Sequence, residues 1–292
     1  MKFKLFLIVV PIILMATFMV FSGIVFDEPE SEWNQTYGGA STDGALSFVE
    51  TGDGGYAITG YTDSSGSGSS DFWLVKTDAN GSMVWSQTYG GASDDSAFSV
   101  VETVDGGFAL AGDTSSSGAG LVDFWLVRTD DNGSMVWNQT YGGASDDGSH
   151  CVVETGDGGY ALVGYTWSSG AGFTDSWLVK TDSNGSMVWN QTYGGASYDD
   201  CSCVIETSEG GYALTGFTES YGAGSSDFWL VKTDSNGVVT WNQTYGGASD
   251  DSSFWVIETS DEGYALTGLT ESYGAGYDDI WLVKINTRTA ST

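Results

Sequence analysis

The chain has 292 residues with 40% hydrophobic and 14% aromatic side chains, enough apolar surface for a sizeable core and too much for a disordered chain. Its 39 acidic residues against eight basic ones give a formal charge of −31, and the basic footprint that phosphate binding requires is missing, which excludes a nucleic-acid partner. Forty-three glycines and two prolines point to a turn-rich, all-β composition.

Residues 1–26 read as a segment separate from the fold. Lys2 and Lys4 precede an apolar run from Leu5 to Phe26, and Asp27, Glu28 and Glu30 follow it. Such a run of about 22 residues, as a helix, spans about 33 Å, enough for a bilayer core of roughly 30 Å. The preceding lysines favour a cytoplasmic N-terminus, which puts the remainder outside. This predicts one N-terminal transmembrane helix, a single-pass cell-membrane protein and a short linker at 27–32. A cleaved signal peptide and a secreted product form the alternative, less favoured because the apolar run is long and its small-residue pattern at Val20 and Ser22 is poor.

From residue 33 onward the chain repeats. Trp33, Trp85, Trp137, Trp189 and Trp241 are 52 residues apart without an insertion, and so are Trp73, Trp125, Trp177, Trp229 and Trp281. In the second copy, short strands are expected over Ala97 to Thr103, Phe108 to Thr114, Asp123 to Thr129 and Ser134 to Tyr141, here called A to D. Asp105-Gly106-Gly107 and Asp130-Asp131-Asn132-Gly133 supply hairpin turns between A and B and between C and D. A four-stranded unit of this length, repeated five times, predicts a five-bladed β-propeller over 33–292, with an open β-solenoid as the alternative. The chain enters with a lone D strand, Trp33 to Tyr37, and leaves after the last C strand, so the first strand is expected to complete the fifth blade. The tryptophans are expected to fill the wedges between blades.

Three stretches carry a resemblance: Gly210 to Leu214 (Gly-Gly-Tyr-Ala-Leu), Asp227 to Asp234 (Asp-Phe-Trp-Leu-Val-Lys-Thr-Asp) and Trp241 to Gly247 (Trp-Asn-Gln-Thr-Tyr-Gly-Gly). They resemble the regular propeller repeats of archaeal and bacterial surface and secreted proteins, a likeness that covers the chain after the anchor. It implies an architecture and no activity. The five-copy plan is also similar to tachylectin-type sugar-binding propellers, as a fold-level analogy with no sugar-binding residue to carry over.

Comparing the copies with one another separates constant from variable positions. Asp43, Asp95, Asp147, Asp199 and Asp251 open strand A, and Asp71, Asp123, Asp175, Asp227 and Asp279 open strand C, at the same end of each blade. Carboxylates in Gly- and Ser-rich loops are candidate Ca²⁺ ligands; capping of their own loops is the competing expectation, and no other cofactor is implied. Glu50, Glu102, Glu154, Glu206 and Glu258 close strand A while Lys76, Arg128, Lys180, Lys232 and Lys284 close strand C, which predicts one structural ion pair per blade.

Variation concentrates in the B-to-C loops. Asp63, Ser115, Trp167, Glu219 and Glu271 share one position, and Ser69, Leu121, Phe173, Ser225 and Tyr277 another. Trp167, Phe173, Glu219, Tyr221, Glu271, Tyr273 and Tyr277 are therefore the candidate ligand-binding residues, for a cell-surface protein or a glycan. Cys151, Cys201 and Cys203 are expected as small buried side chains, with His150 on the opposite face of its strand from Cys151. Five interchangeable blades supply no asymmetric catalytic constellation, so an adhesion or cell-envelope binding module is expected. A carboxylate-based polysaccharide hydrolase or lyase on the loop face is the alternative. Sequons at Asn34, Asn80, Asn132, Asn138, Asn184, Asn190 and Asn242 make an extracellular glycoprotein the expected form.

Overall fold

The computed structural model describes residues 33–286, all strands and turns with no helix. The anchor and linker expected at 1–32 lie outside the described residues. The chain divides into a unit Met1–Asn34 and a unit Gln35–Thr292, and the second holds every strand.

Five antiparallel sheets follow one another. They are β1 (Asp43–Glu50), β2 (Tyr56–Thr62), β3 (Asp71–Thr77) and β4 (Met83–Tyr89); β5 (Asp95–Glu102), β6 (Phe108–Thr114), β7 (Asp123–Thr129) and β8 (Met135–Tyr141); β9 (Asp147–Glu154), β10 (Tyr160–Thr166), β11 (Asp175–Thr181) and β12 (Met187–Tyr193); β13 (Asp199–Glu206), β14 (Tyr212–Thr218), β15 (Asp227–Thr233) and β16 (Val239–Tyr245); and β17 (Asp251–Glu258), β18 (Tyr264–Thr270) and β19 (Asp279–Ile285). Each sheet is a meander in sequence order, as short hairpin turns dictate. The sheets are propeller blades: each stacks on the next, and the A strands pack on one another from blade to blade, which makes A the inner strand.

Alternation in these strands is buried on both sides, because each middle blade is covered by a neighbour on either face. Leu74, Leu126, Leu178 and Leu230 are all fully buried. The C-strand tryptophans take an aromatic from the preceding blade edge-on, Phe72 against Trp125 at 4.5 Å and Phe124 against Trp177 at 4.7 Å. The D-strand tryptophans reach across in turn, Trp85 to Phe108 and Trp137 to Tyr160 at 5.9 Å. The D-strand tyrosine then donates to the C-to-D turn of the following blade, Tyr89 to the Gly133 carbonyl and Tyr141 to that of Gly185, both at 2.6 Å. The tryptophans are thus wedge filling, as expected.

Every A strand carries a β-bulge, placed in the third blade between Ser149 and Cys151, so His150 is the extra residue. The fifth sheet has three strands. Residues 33–42 form no strand, and the fourth strand expected there is not paired with β19. Among the described residues, the strands of the first blade do not pack on those of the fifth to the extent that joins consecutive blades.

Candidate functional site

Both sets of aspartates stand at the end of the blades where the B-to-C and D-to-A loops meet. Asp147 shows how the first set is used: Gly143 N and Ser168 Oγ donate to its Oδ2 at 2.8 and 2.7 Å, and the Thr166 hydroxyl donates to its other oxygen. Asp43, Asp199 and Asp251 accept equivalent amides at Gly39, Gly195 and Gly247. In the second set, Asp175 Oδ2 accepts the amides of Ala171 and Gly172, and Asp227 those of Ala223 and Gly224. The aspartates therefore tie down their own loops, since a carboxylate accepting several amides fixes the backbone around it. Among the described residues no three acidic, His or Cys side chains converge as a metal cluster. At constant ionic strength, millimolar CaCl₂ is expected to leave the melting temperature where NaCl puts it; a rise specific to Ca²⁺ would show that the loops hold the ion.

These capped loops form a rigid frame for the variable residues. The B-to-C loop of one blade meets the D-to-A loop entering the next, as at the parallel bridge between Thr174 and Tyr198. Next to that bridge, the exposed ring of Phe173 stacks on Tyr198 with centroids 5.5 Å apart and planes 11° from parallel. Trp167, on the same loop as Phe173, is also exposed. In the fourth and fifth blades the hydroxyls of Tyr221 and Tyr273 donate to the Gly194 and Gly246 carbonyls at 2.8 and 2.9 Å, which fixes half-exposed rings across neighbouring loops. Glu219 accepts from Ser197 Oγ at 2.9 Å, Glu271 is exposed, and Tyr277 is 89% exposed. All seven expected residues thus lie on one end of the blades. Tyr198 was not foreseen; its signal is the set of residues at its position, Thr42, Asp94, Asp146, Tyr198 and Asp250, of which it alone is aromatic.

At the opposite end the expected glutamate-to-lysine pairs do not form. Lys76, Lys180 and Lys284 pair instead with the A-to-B turn aspartate of their own blade, Asp53 at 2.9 Å, Asp157 at 2.9 Å and Asp261 at 2.8 Å, and Arg128 pairs with Asp105. The glutamates reach the neighbouring blade, where Glu102, Glu154 and Glu206 accept the turn amides of Gly52, Val104 and Gly156 at 2.8, 3.0 and 2.7 Å. The turn is nearer to the lysine than the strand-closing glutamate is, and the glutamate is drawn to amides that lack a strand partner. In the fourth blade Glu209 replaces the turn aspartate. Lys232 there makes no ion pair among the described residues, bonding Thr207 Oγ1 and the Thr233 carbonyl in an open pocket edged by Glu209 and Glu258. Burial lowers its pKa.

One polar cluster breaks the five-fold repetition. His150 Nε2 lies 3.1 Å from Asp200 Oδ2, between the rings of Phe98 and Tyr165, and Asp113 accepts the Ser149 amide at 2.8 Å. Burial works to lower the His150 pKa, but the carboxylates of Asp200 and Asp113 outweigh it and raise it to about 9. Burial pushes Asp113 up to about 7 against the pull of His150. Both folded values exceed the unfolded ones. The His150 contribution is therefore complete below about pH 6.5 and lost as pH rises through 9, and the neutral Asp113 carboxyl is lost as pH rises through 7. Melting temperature is expected to fall between pH 6 and 9.5, and an Asp113→Asn, His150→Gln double variant to flatten that fall; an unchanged slope in the double variant would remove the cluster as its cause. The three cysteines are buried free thiols, as expected, and burial raises the pKa of Cys201.

No family model matches the chain, and no curated protein matches it. Solved structures do. A protein of unknown function from Bacteroides caccae is similar with a TM-score of 0.50 at 9% identity, over 82% of this chain and 77% of that one. The WD40 domain of Neurospora crassa Pan2 is similar with a TM-score of 0.51 at 11% identity, over 82% of this chain and 62% of that chain. The likeness is one of fold, and the propeller architecture is what it shows.

Proposed function

We propose that this chain is an extracytoplasmic binding module that docks a protein or glycan of the cell surface on its B-to-C loop face. The observation that carries the reading is the exposed aromatic surface of the third blade, Phe173 stacked on Tyr198 beside the loop of Trp167, on loops held by buried aspartates. A rigid flat aromatic surface suits the apolar face of a sugar ring or an aliphatic side chain, because little side-chain entropy is lost on contact.

The apolar run after Lys2 and Lys4 supports a retained membrane anchor with the propeller on the outer side. The sequons favour glycosylation on the outer strands. There Asn138, Asn190 and Asn242 are exposed and use Oδ1 to accept the indole N–H of Trp125, Trp177 and Trp229, while Nδ2 of Asn138 and Asn190 donates only to the sulfurs of Met135 and Met187 at 3.2 Å, weak contacts that a glycan would replace.

The test is a glycan array probed with the full chain and with Phe173→Ala. A ligand of this face should lose at least about tenfold in affinity on losing the ring, roughly 1.4 kcal/mol, while the melting temperature holds. Binding that ignores Phe173, or release of new reducing ends from the polysaccharide probes, would overturn the reading, the second in favour of a hydrolase.

A further inference from the structure

The two ends of the blade stack are complementary to each other and unsatisfied. On the fifth blade, Ile280 and Leu282 are 86% and 70% exposed, at positions where the first and second blades bury Phe72, Leu74, Phe124 and Leu126 completely against the next blade. Trp255 and Ile257 of the same face are exposed too. On the first blade, Phe48 is 70% exposed, where Val100, Val152, Val204 and Val256 are buried against the preceding blade.

The backbone shows the same complementarity. Tyr37 donates to the Gly81 carbonyl at 2.5 Å, the bond by which Tyr89, Tyr141 and Tyr193 of each D strand grip the following blade. The first blade thus already carries the end of a D strand that belongs to a blade before it. Among the described residues the fifth blade has no D strand, and none pairs with the outer edge of β19.

We propose that the occupant of each end is the other end of a second copy of this chain, with the fifth blade of one molecule seated on the first blade of the next and the segment ending at Tyr37 alongside its β19. The interface is continuous with the four already present, since it uses the same positions, with apolar side chains at 48, 280 and 282 as at their equivalents Val100, Phe72 and Leu74. Closure within one molecule is disfavoured by those same four interfaces. In three of the four the aromatic contact repeats within 0.3 Å, from 4.5 Å for Phe72 on Trp125 to 4.8 Å for Phe228 on Trp281, with Ser176 at the phenylalanine position of the remaining one, and the four steps leave the first and fifth blades without the strand packing that joins neighbours. Bringing them together would require every close-packed interface to turn further. A head-to-tail contact of this kind is heterologous, giving a larger ring or an open row of molecules. It also covers the β19 edge, which would otherwise template unspecific pairing.

Cysteine cross-linking separates the possibilities. Cys151 and Cys203 occupy the same position in consecutive blades and are in side-chain contact. The residues at that position on the two ends are Ser47 and Trp255, neither needed for the core. The full chain carrying Trp255→Cys is mixed in detergent micelles with the full chain carrying Ser47→Cys, under mild oxidant and with the wild type as control for the native thiols. The mixture should yield a disulfide-linked dimer that neither variant yields alone, and adding Ile280→Asp to the first variant should reduce it at least tenfold, which excludes association through the apolar run at 5–26. The double variant Ser47→Cys, Trp255→Cys should give a ladder of linked chains. A mixture that stays monomeric overturns the proposal: an internal disulfide in the double variant would then show a ring closed on itself, and no disulfide at all would show that the ends do not meet.

Discussion

Gly164→Ala is expected to destabilise the fold by about 3 kcal/mol or more, although the site is in the middle of a strand and carries no functional group. Gly164 lies in β10 opposite Ser149, where β9 bulges. A methyl group at Gly164 would sit 1.9 Å from the Gly148 carbonyl oxygen and 2.9 Å from the Ser149 Cα, both backbone atoms that cannot swing aside. The same encounter stands at Gly60, Gly112, Gly216 and Gly268, so the glycine is the counterpart of the bulge in every blade. Gly158, in the turn before β10, is the control. Its φ of +80° is left-handed and nothing lies near its Cβ position, so alanine there should cost only about 1 kcal/mol. For a domain of this size the two variants should melt apart by several degrees, at roughly 2–4 °C per kcal/mol. Equal melting temperatures would mean that the bulge relaxes freely, and that the close approach is not a constraint on the fold.

That bulge also marks where reading by alternation stopped working. Strands B and C of the second copy fall at Phe108–Thr114 and Asp123–Thr129, where turn residues and apolar runs place them, because those strands obey a strict period of two. Strand A starts two residues early, at Asp95, because Asp95 N donates to the Ser70 carbonyl of the previous blade, a partner invisible within one repeat. His150 is the bulged residue itself, so alternation relative to Cys151 could not say where its ring goes. The cluster it forms was still marked in the sequence: Asp113, His150 and Asp200 replace Tyr, Phe or Leu, then Leu, Phe or Ser, and Gly or Ser at their positions in other blades. What linked them was missing, since a carboxylate 50 residues from an imidazole becomes its neighbour only once blades stack. The same gap explains the glutamates, whose partners are amides about 50 residues away. The loop face was legible because it depends on which residues vary and on which end of a strand they stand, and both survive without knowledge of how the blades pack.

The corrected ion pairs lead to an asymmetric expectation. Lys180 is buried, with a side chain 6% exposed, while that of its partner Asp157 is 65% exposed. Its Nζ donates to both Asp157 oxygens at 2.9 Å and to the Thr181 carbonyl at 2.8 Å. Asp157→Ala would leave the ammonium buried with a single carbonyl and is expected to cost about 3 kcal/mol, the scale for an uncompensated buried charge. Lys180→Met should cost about 1 kcal/mol or less, because the carboxylate it abandons turns to water and the methionine keeps the apolar stem packed. The double variant should then be more stable than Asp157→Ala alone, by about 2 kcal/mol. Burial opposes the charge on Asp157, but the Thr155 hydroxyl, Lys180 and the Gly159 amide outweigh it and hold its pKa at about 2. With a folded value below the unfolded one, the stabilisation is present above about pH 3.8 and lost as pH falls toward 2. Urea melts of the three variants at pH 7 decide the matter: equal losses in the two single variants, or strict additivity in the double, would mean that the buried ammonium does not depend on its partner. The fourth blade offers the reverse experiment, since Glu209 stands at the turn position and Lys232 lacks an ion pair among the described residues. Glu209→Asp should draw Lys232 into the contact that Lys180 makes, raise its depressed pKa and stabilise the blade, a gain that Lys232→Met in the same chain should erase.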